Sequence, residues 1–539
     1  MITLQGKSAS GGIAFGKISF LKRSSASVEK RSITDLAAEL QRFEEARNTA
    51  CEQLDDLSER LADKIGAENA ALFEMHRMML QDPDYIEPIT EIIKKEKVCA
   101  EYAVNTGGSR LAQDFAEMDD EYMKARSTDV YDISRRIINI LAGVEDGPAE
   151  GGDPGIFAAD DFTPSETAQM DRSKVLAMIS KQGSYNSHSS IFARNMGIPA
   201  VIGFGEFLSA DLSGKEAALD ATEGVLYIEP ETAVIEKLKK KQDAILLEKQ
   251  EWEQFRGKPT VSKNGKKIKL YANIGSVKDA EAAVEGDAEG VGLFRSEGLY
   301  LESNDYPDEE TQFETYKQVL KCMGDRPVII RTLDIGADKQ AAYFKLPKEE
   351  NPAMGLRAIR ICLTRPELFK TQLRAIYRAS AFGNAAIMFP MINSVNDLKR
   401  AKQIATIVRT ELAAKQIPFK ADLPIGIMIE TPASAVIADL LAKESDFFSI
   451  GTNDLTQYTL AVDRQNDSIS EFCDAHHEAI LRLIGMATEA AHKAGIWCGI
   501  CGSLGADETL IKTFLDIGLD ELSVEAPAIL KLRKIISEN

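Results

Sequence analysis

In the last 279 residues, Arg295, Arg331, Asp334, Glu430, Asn453, Asp454 and Cys501 each stand at or just beyond the C-terminal end of a short β-rich run. Arginines and acids delivered to one place from separate runs have a specific chemistry. A planar guanidinium grips phosphate or carboxylate through two parallel hydrogen bonds. A pair of carboxylates, completed by water and phosphate oxygens, makes a hard octahedral site suited to magnesium. The ligand that satisfies both is a small phosphorylated acid. Arg464, in Val462-Asp-Arg-Gln-Asn beyond the sixth run, adds a further cation, and Cys501 a thiol able to move a proton. Taken singly, any of these arginines is equally well an ion pair closing a barrel, and Cys501 a small buried residue; the set as a whole favours the phosphate reading.

His188 is the other candidate. It is one of five histidines, and it sits in Gly183-Ser-Tyr-Asn-Ser-His-Ser-Ser-Ile-Phe-Ala-Arg, a Gly- and Ser-rich turn that feeds a helix. Amides and hydroxyls at such a helix start can hold a phosphoryl group arriving on the imidazole. A lone histidine is more often structural, so its position alone leaves the question open. Cys498 and Cys501 form a C-x-x-C, but without a second pair or a histidine at ligand spacing a zinc site is a weak reading.

Eight runs position the first set: 268–273, 291–295, 328–331, 387–391, 425–430, 447–454, 496–501 and 522–524, with helical segments between them. Their number and the length of the segment predict a (β/α)8 barrel, whose strand ends face the active site. Upstream, apolar residues from Leu36 to Leu61 recur every three or four positions, as in a long amphipathic helix. Further helices are predicted at 70–80, 92–97, 102–118 and 130–141, with breaks at Asp82-Pro83 and Gly107-Gly108. Strand-like runs at 156–159, 175–179, 200–202 and 225–228, with the N-terminal Gly11 to Leu21, make the helical region an insertion into a small α/β domain. A charged stretch from Thr232 to Phe255 reads as a connecting helix.

The chain has 539 residues, enough for three or four folding units, and 84 acidic against 64 basic residues, a net charge of -20. That balance argues against a general nucleic-acid binder or a protein clinging to anionic membrane. No run of apolar residues is long enough to span a membrane, the start lacks the marks of a signal peptide, and seven scattered cysteines form no disulfide framework, so a cytoplasmic protein is expected. Residues 31–140 hold 14 Lys and Arg against 24 Asp and Glu, half of the excess negative charge. A basic protein partner there, or simply a solvated helical surface, accounts for it.

The run from Gly183 through His188 to Gly197-Ile-Pro-Ala-Val closely resembles the phosphohistidine segment of enzyme I of the bacterial sugar phosphotransferase system, the phosphoenolpyruvate-protein phosphotransferase family. The resemblance extends, in the family's order, through Asp161-Phe-Thr-Pro-Ser-Glu-Thr-Ala, Gly290-Val-Gly-Leu-Phe-Arg-Ser-Glu, Arg331-Thr-Leu-Asp-Ile-Gly-Ala-Asp-Lys, Asn351-Pro-Ala-Met-Gly-Leu-Arg-Ala-Ile-Arg, Gly426-Ile-Met-Ile-Glu-Thr-Pro, Gly451-Thr-Asn-Asp-Leu-Thr-Gln-Tyr and Cys501-Gly. It implies an α/β multidomain chain: a swivelling α/β phosphohistidine domain (1–30 and 145–230), an all-helical insert that binds the phosphocarrier HPr (31–144), a linker helix (231–260) and a (β/α)8 TIM barrel that binds phosphoenolpyruvate (261–539).

By the same resemblance, Glu430 and Asp454 hold Mg2+, Arg295, Arg331 and Arg464 bind phosphate, and Asn453, Asp454 and Arg357 help to hold the substrate. His188 takes the phosphoryl group and Cys501 protonates the enolate. Glu68, Phe73, Glu74, His76, Met79, Leu80, Asp82 and Arg126 meet HPr, and the barrel forms a homodimer. The Gly-rich 150s and the 232–255 helix are the expected hinges. Gln465, Ser503 and Cys473-Asp-Ala-His-His-Glu depart from the family's pattern and bear on loop shape and the protonation step. Pyruvate phosphate dikinases share two of these parts but need a nucleotide-binding domain for which the segment before His188 has no room. A non-catalytic signalling paralogue is disfavoured by the intact set of arginines and acids.

Overall fold

A computed structural model of the chain describes residues 1–21, 28–65, 67–117, 121–144, 153–183, 187–301, 303, 305–336, 341–464 and 466–539. It divides into two compact units, Met1–Leu246 and Leu247–Asn539. Gln465 and part of the Gly-rich 150s fall outside the described residues.

The first unit is built on an eight-stranded sheet in the order β1-β8-β7-β3-β4-β5-β6-β2. Its strands are β1 (Ile2–Gln5), β2 (Lys7–Ser10), β3 (Ile13–Phe20), β4 (Gly155–Ala159), β5 (Val175–Ser180), β6 (Ala200–Ile202), β7 (Glu216–Asp220) and β8 (Val225–Ile228). β3, β4, β5 and β6 run parallel and the other pairings are antiparallel. Between β3 and β4 the chain makes five helices: α1 (Leu36–Ile65), α2 (Ala67–Gln81), α3 (Pro83–Glu96), α4 (Ala100–Ala116) and α5 (Glu121–Ala142). They bury a core of their own, including Phe43, Leu54, Phe73, Ile89, Val104 and Ile133. The expected break at Asp82-Pro83 separates α2 from α3, but α3 starts at Pro83 and not at Ile92, with Asp82 as N-cap and Pro83 in the first turn, where its missing N–H costs nothing. Two short helices follow among the strands, α6 (Pro164–Gln169) and α7 (His188–Asn195), and α8 (Thr232–Glu253) closes the unit. α8 lays Leu238 against Ile13 and Ala218, and its Lys241 pairs with Asp220 at 2.6 Å.

Two further sequence expectations change here. β7 was missed, since Glu-Ala-Ala-Leu-Asp carries no β-branched residue, yet it pairs along its whole length with β3 and β8. Gly107-Gly108 does not break a helix but lies buried inside α4. A Cβ on Gly107 would come within 2.7 Å of Ile89, and one on Gly108 within 2.2 Å of the Ser134 hydroxyl. The glycines therefore let α3 and α5 approach α4 closely, which outweighs their poor helix propensity.

The second unit is a closed barrel of parallel strands: β9 (Lys269–Ile274), β10 (Val291–Arg295), β11 (Pro327–Arg331), β12 (Asn384–Phe389), β13 (Ile425–Ile429), β14 (Phe447–Ile450), β15 (Trp497–Ile500) and β16 (Glu521–Val524). Outward side chains such as Leu270, Ile330, Ile427 and Ile500 join the surrounding helices in one large core. Inward ones, Leu293, Ile329, Met388, Met428, Phe447 and Cys501 among them, form a separate cluster inside the barrel. β12 ends at Phe389, two residues earlier than expected, because Met391 takes a left-handed conformation at φ 55°. β14 ends at Ile450, so Asn453 and Asp454 belong to the first turn of the following helix, Thr452–Leu460, and not to the strand. Cys498 lies in the outer core and Cys501 in the inner cluster, which removes the C-x-x-C as a metal or disulfide motif.

Replacing Gly108 by Ala is predicted to destabilise the first unit by about 1–3 kcal/mol through overpacking, lowering its unfolding midpoint by about 2–4 °C per kcal/mol. Adding Ser134→Ala should recover part of the loss, although it also removes the 2.9 Å hydrogen bond to Tyr85. An unchanged melting temperature in Gly108→Ala would refute this account of the helix contact.

Candidate active site

The C-terminal ends of β10, β11, β13, β14 and β15 deliver a charged cluster to the barrel mouth. Arg331, the last residue of β11, is buried among acids: it pairs with Glu297 and lies 3.0 Å from Asp334. Arg357 arrives from a loop and is equally buried, 2.9 Å from the other oxygen of Asp334, 3.5 Å from Asp454 and 3.0 Å from the Tyr458 hydroxyl. Asp334 thus bridges both guanidiniums. Burial opposes the charge on each arginine, but the neighbouring acids outweigh it, so both are raised and stay cationic.

Glu430 follows β13 and is fully buried. One oxygen accepts from the Met391 amide at 2.5 Å, made possible by the left-handed backbone there; the other has no hydrogen-bond partner. Burial, then the charges of Asp454 and Asp334, push its carboxyl up to about 8, against the opposing pull of Arg331 and Arg357. Such a group is an acid that keeps its proton until a cation arrives. Among the described residues, no three His, Cys, Asp or Glu side chains cluster so as to hold a metal by themselves. Glu430 and Asp454 are two ligands, with an orphaned buried oxygen on the first, and suit a hard cation that completes its shell with water and substrate oxygens.

Asn453 lies at the rim. Its Oδ1 accepts from both the amide and the hydroxyl of Ser503, at 3.1 and 2.6 Å, which leaves its amide nitrogen to donate to a ligand. The departure at Ser503 therefore fixes the Asn453 amide in orientation. Arg295 reaches Glu525 at 3.8 Å and is nearly half-exposed. Arg464 lines a cavity of about 420 Å3 together with Arg357, Asp454, Asn351 and Gln457. Cys501 sits just past β15, buried, its thiol 3.7 Å from the Ile450 carbonyl; burial pushes it up to about 12, so it remains protonated. The sequence reading left Glu297 without a role, although it ends the quoted Arg-Ser-Glu run, and it did not separate the bridging Asp334 from the other acids. Where the Cys473–His477 stretch departs from the pattern, His476 is fastened to Asp507 at 2.6 Å.

In the first unit, His188 is the first residue of α7. Ser187 caps the helix by accepting from the Ser190 amide at 3.3 Å, and its hydroxyl lies 3.0 Å from those of Ser189 and Ser190. The helix start thus offers amides and hydroxyls to a negative group. A cavity of about 730 Å3, lined by Tyr131, Arg135, Asp161, Thr163 and Gln182, opens beside the residues that lead into this turn. Arg135 joins Glu166 at 3.0 Å and Arg136 joins Ser165 at 3.1 Å, fastening α5 to α6.

The expected partner surface is corrected in part. Phe73, His76 and Leu80 are buried inside the helical core, where His76 lies 3.2 Å from Asp129 and meets Phe73 edge-on; side chains so enclosed cannot touch a docked protein. Glu74 and Asp82 are exposed and Met79 half-buried, beside the exposed Met78. Arg126 is half-buried and pairs with Asp129 at 3.3 Å. The side chains of His188 and Glu68 lie outside the described residues.

Residues 249–539 match the family of PEP-utilising enzymes through its PEP-binding domain, residues 151–224 through its mobile domain and residues 5–126 through its N-terminal domain. The phosphoenolpyruvate-protein phosphotransferase of Bacillus subtilis is 42% identical over 539 residues, all of this chain and 95% of that protein. The proteins of the same name from Priestia megaterium and Haemophilus influenzae are each 42% identical, over 99% of this chain and 94% and 93% of theirs. With buried arginines, a proton-holding acid and a protonated thiol at the barrel mouth, and His188 at the start of a capped helix, the chain belongs to the phosphoenolpyruvate-protein phosphotransferase family of PEP-utilising enzymes.

Proposed function

We infer that this chain transfers the phosphoryl group of phosphoenolpyruvate to His188 and from there to HPr, releasing pyruvate, as the first step of sugar uptake. The observation that carries the reading is the cluster of Arg331, Arg357, Glu430, Asp454 and Cys501 at one barrel mouth. The division proposed is an α/β phosphohistidine domain over 1–30 and 145–230, a helical insert over 31–144, a linker helix over 231–260 and the barrel over 261–539.

Glu430 and Asp454 would hold Mg2+, which when bound neutralises charge on the substrate oxygens. Arg295, Arg331, Arg464 and Arg357 grip the phosphate and carboxylate, and the Asn453 amide donates to the substrate. This array matters most where charge gathers on the departing phosphoryl group, in a site shielded from water. The imidazole of His188 attacks phosphorus as the bond to the enolate oxygen breaks, and phosphohistidine at the start of α7 is favoured by the helix amides. The thiol of Cys501 then gives its proton to the enolate carbon. His188 and the arginines belong to separate compact units, and the swivelling proposed for the phosphohistidine domain would carry the phosphoryl group from the barrel to HPr.

HPr is proposed to dock on the acidic helical insert through Glu74, Met79 and Asp82, with Glu68 and Arg126 nearby; the local excess of acid suits a basic partner. A homodimer through the barrel is supported by exposed Ile407, Val436, Leu440 and Met486 on its outer helices. A cytoplasmic location agrees with the finding that no helix among the described residues is long and apolar enough to cross a membrane.

With Mg2+ and phosphoenolpyruvate carrying a labelled phosphoryl group, the protein is expected to take label that His188→Ala does not take, and to pass it to HPr. Label on His188→Ala, or none on the parent, would refute the reading, and labelling from ATP would point to a dikinase.

The raised carboxyl of Glu430 predicts that Mg2+ binding releases about one proton between its ordinary value of 4.5 and about 8. In that window the ion-free folded chain binds more protons than the unfolded one, so this group's contribution to stability falls as pH rises. Mg2+ affinity should instead climb with pH and level off above about 8. Calorimetric titration in buffers of different ionisation enthalpy measures the proton. Equal proton release by the parent and Glu430→Gln would exclude Glu430 as its source.

A further inference from the structure

The interior of a TIM barrel is ordinarily packed with apolar side chains. Here one sector is polar. Glu521, the first residue of β16, is 1% exposed, and neither of its carboxylate oxygens has a hydrogen-bond partner. A Cβ on Gly499 of β15 would meet one of these oxygens at 1.9 Å, and a Cβ on Gly292 of β10 the other at 2.6 Å. β10 does not neighbour β16, so the carboxyl reaches Gly292 only by lying inside the barrel. The two glycines make the room it occupies.

Glu521 pairs in register with Gly499, and Leu522 with Ile500, so Ser523 and Cys501 come next along the same two strands, toward the mouth. At that level Asn273 donates to the carbonyls of both, at 3.3 Å to Cys501 and 3.0 Å to Ser523, while its own Oδ1 is unpartnered. The buried hydroxyl of Ser449 adjoins the Cys501 thiol, within hydrogen-bonding reach of it. Three orphaned polar atoms, two on Glu521 and one on Asn273, thus lie in the same sector of the barrel interior as Ser449 and Cys501. Groups of this kind are ordinarily met by buried water. At the other end, Lys269 pairs in register with Glu521 and extends over the rings of Tyr271 and Trp497 at the exposed floor of the barrel. The titratable groups facing Glu521 inside the barrel are Lys269, Tyr271 and Cys501, and Cys498 feels its charge from the outer side of β15.

We propose that Glu521 is the proton reservoir that recharges Cys501 from inside the barrel. The proposal rests on the reading of Cys501 as proton donor. In that step the S–H bond breaks as a C–H bond forms at the enolate carbon, leaving pyruvate and a thiolate. The thiolate then takes the carboxyl proton of Glu521, relayed by buried water and the Ser449 hydroxyl. Glu521 regains a proton from bulk water at the Lys269 end, so the net donor is solvent. Burial raises the Glu521 carboxyl well above its ordinary range, which keeps a proton ready. The arrangement matters because a mouth filled by substrate must stay dry; a supply from behind restores the thiol without admitting water to the phosphoryl group. An unpaired acid in a barrel core is costly to the fold, and Gln or Leu would fill the space more safely.

The test uses the full-length protein with Mg2+. First-turnover labelling of His188 from phosphoenolpyruvate, steady pyruvate formation with HPr as acceptor, and exchange of the pyruvate methyl protons in D2O are measured for the parent, Glu521→Gln, Ser449→Ala and Cys501→Ala. Glu521→Gln should label within about twofold of the parent, while exchange and steady turnover fall by roughly tenfold or more. Ser449→Ala, which leaves the acid in place, should slow exchange in the same direction and decides the matter if Glu521→Gln fails to fold. Exchange near the parental rate in either folded variant, with Cys501→Ala inactive in exchange, overturns the reservoir. Exchange retained by Cys501→Ala instead overturns the reading of Cys501.

Discussion

Two buried guanidiniums constrain the whole barrel mouth. Arg331 and Arg357 have almost no solvent, and breaking a buried charge pair by removing one partner costs about 3–5 kcal/mol. Asp334 is therefore committed to both, one oxygen to each. The commitment spreads outward. Glu297 is held by Arg331, Asp454 leans toward Arg357, and Glu430, surrounded by acids already in use and cut off from water, holds its proton. Before any ligand arrives, the charges at the base of the mouth nearly balance, and Arg295 at the rim pairs with Glu525 at 3.8 Å. Ligand binding must then exchange charge for charge, which favours a doubly anionic substrate accompanied by a cation over either alone.

The strands make this possible by alternation. Each sends every second side chain into the barrel, so residues such as Arg331 and Met388, at the mouth ends of β11 and β12, share one level. Below them Leu293 of β10 and Ile329 of β11 exclude water on one side, while the polar side chains Asn273, Ser449 and Glu521 of β9, β14 and β16 occupy the other. The first unit solves a different problem. Its helical insert has a core of its own, yet Arg135 and Arg136 tie α5 to α6, just upstream of α7 and His188. The helical insert and the helix that begins with His188 are thereby fastened within one unit.

Much of this was legible in the sequence because the signals were local. Val291 to Arg295 and Ile425 to Glu430 are apolar runs that stop at one charged residue, the pattern of a buried parallel strand ending at a site. What escaped depended on distant partners. Gly107-Gly108 reads as a break until α3 and α5 press on it. Glu521, beside Asp520, stands just outside the expected run 522–524; in the closed barrel it is the first residue of β16 and points inward. One miss was avoidable. Phe73, His76 and Leu80 are spaced by three and four, the period of a buried helical face, so their enclosure was present in the spacing even as the motif suggested a surface.

The charge network also gives the proposed reaction an order. The Cys501 thiol is held protonated mainly by burial, against the opposing effects of the Ser449 hydroxyl and then Arg331. While a phosphoryl group occupies Arg331, its charge is spent on phosphate and does little for a thiolate. Once that group has left on His188, the same guanidinium favours the thiolate. The thiol thus becomes a stronger acid only after phosphoryl transfer, when an enolate is present to be protonated. The carbon becomes strongly basic only when the P–O bond has broken and the enolate is released, so an acid that strengthens at that point matches the order of events.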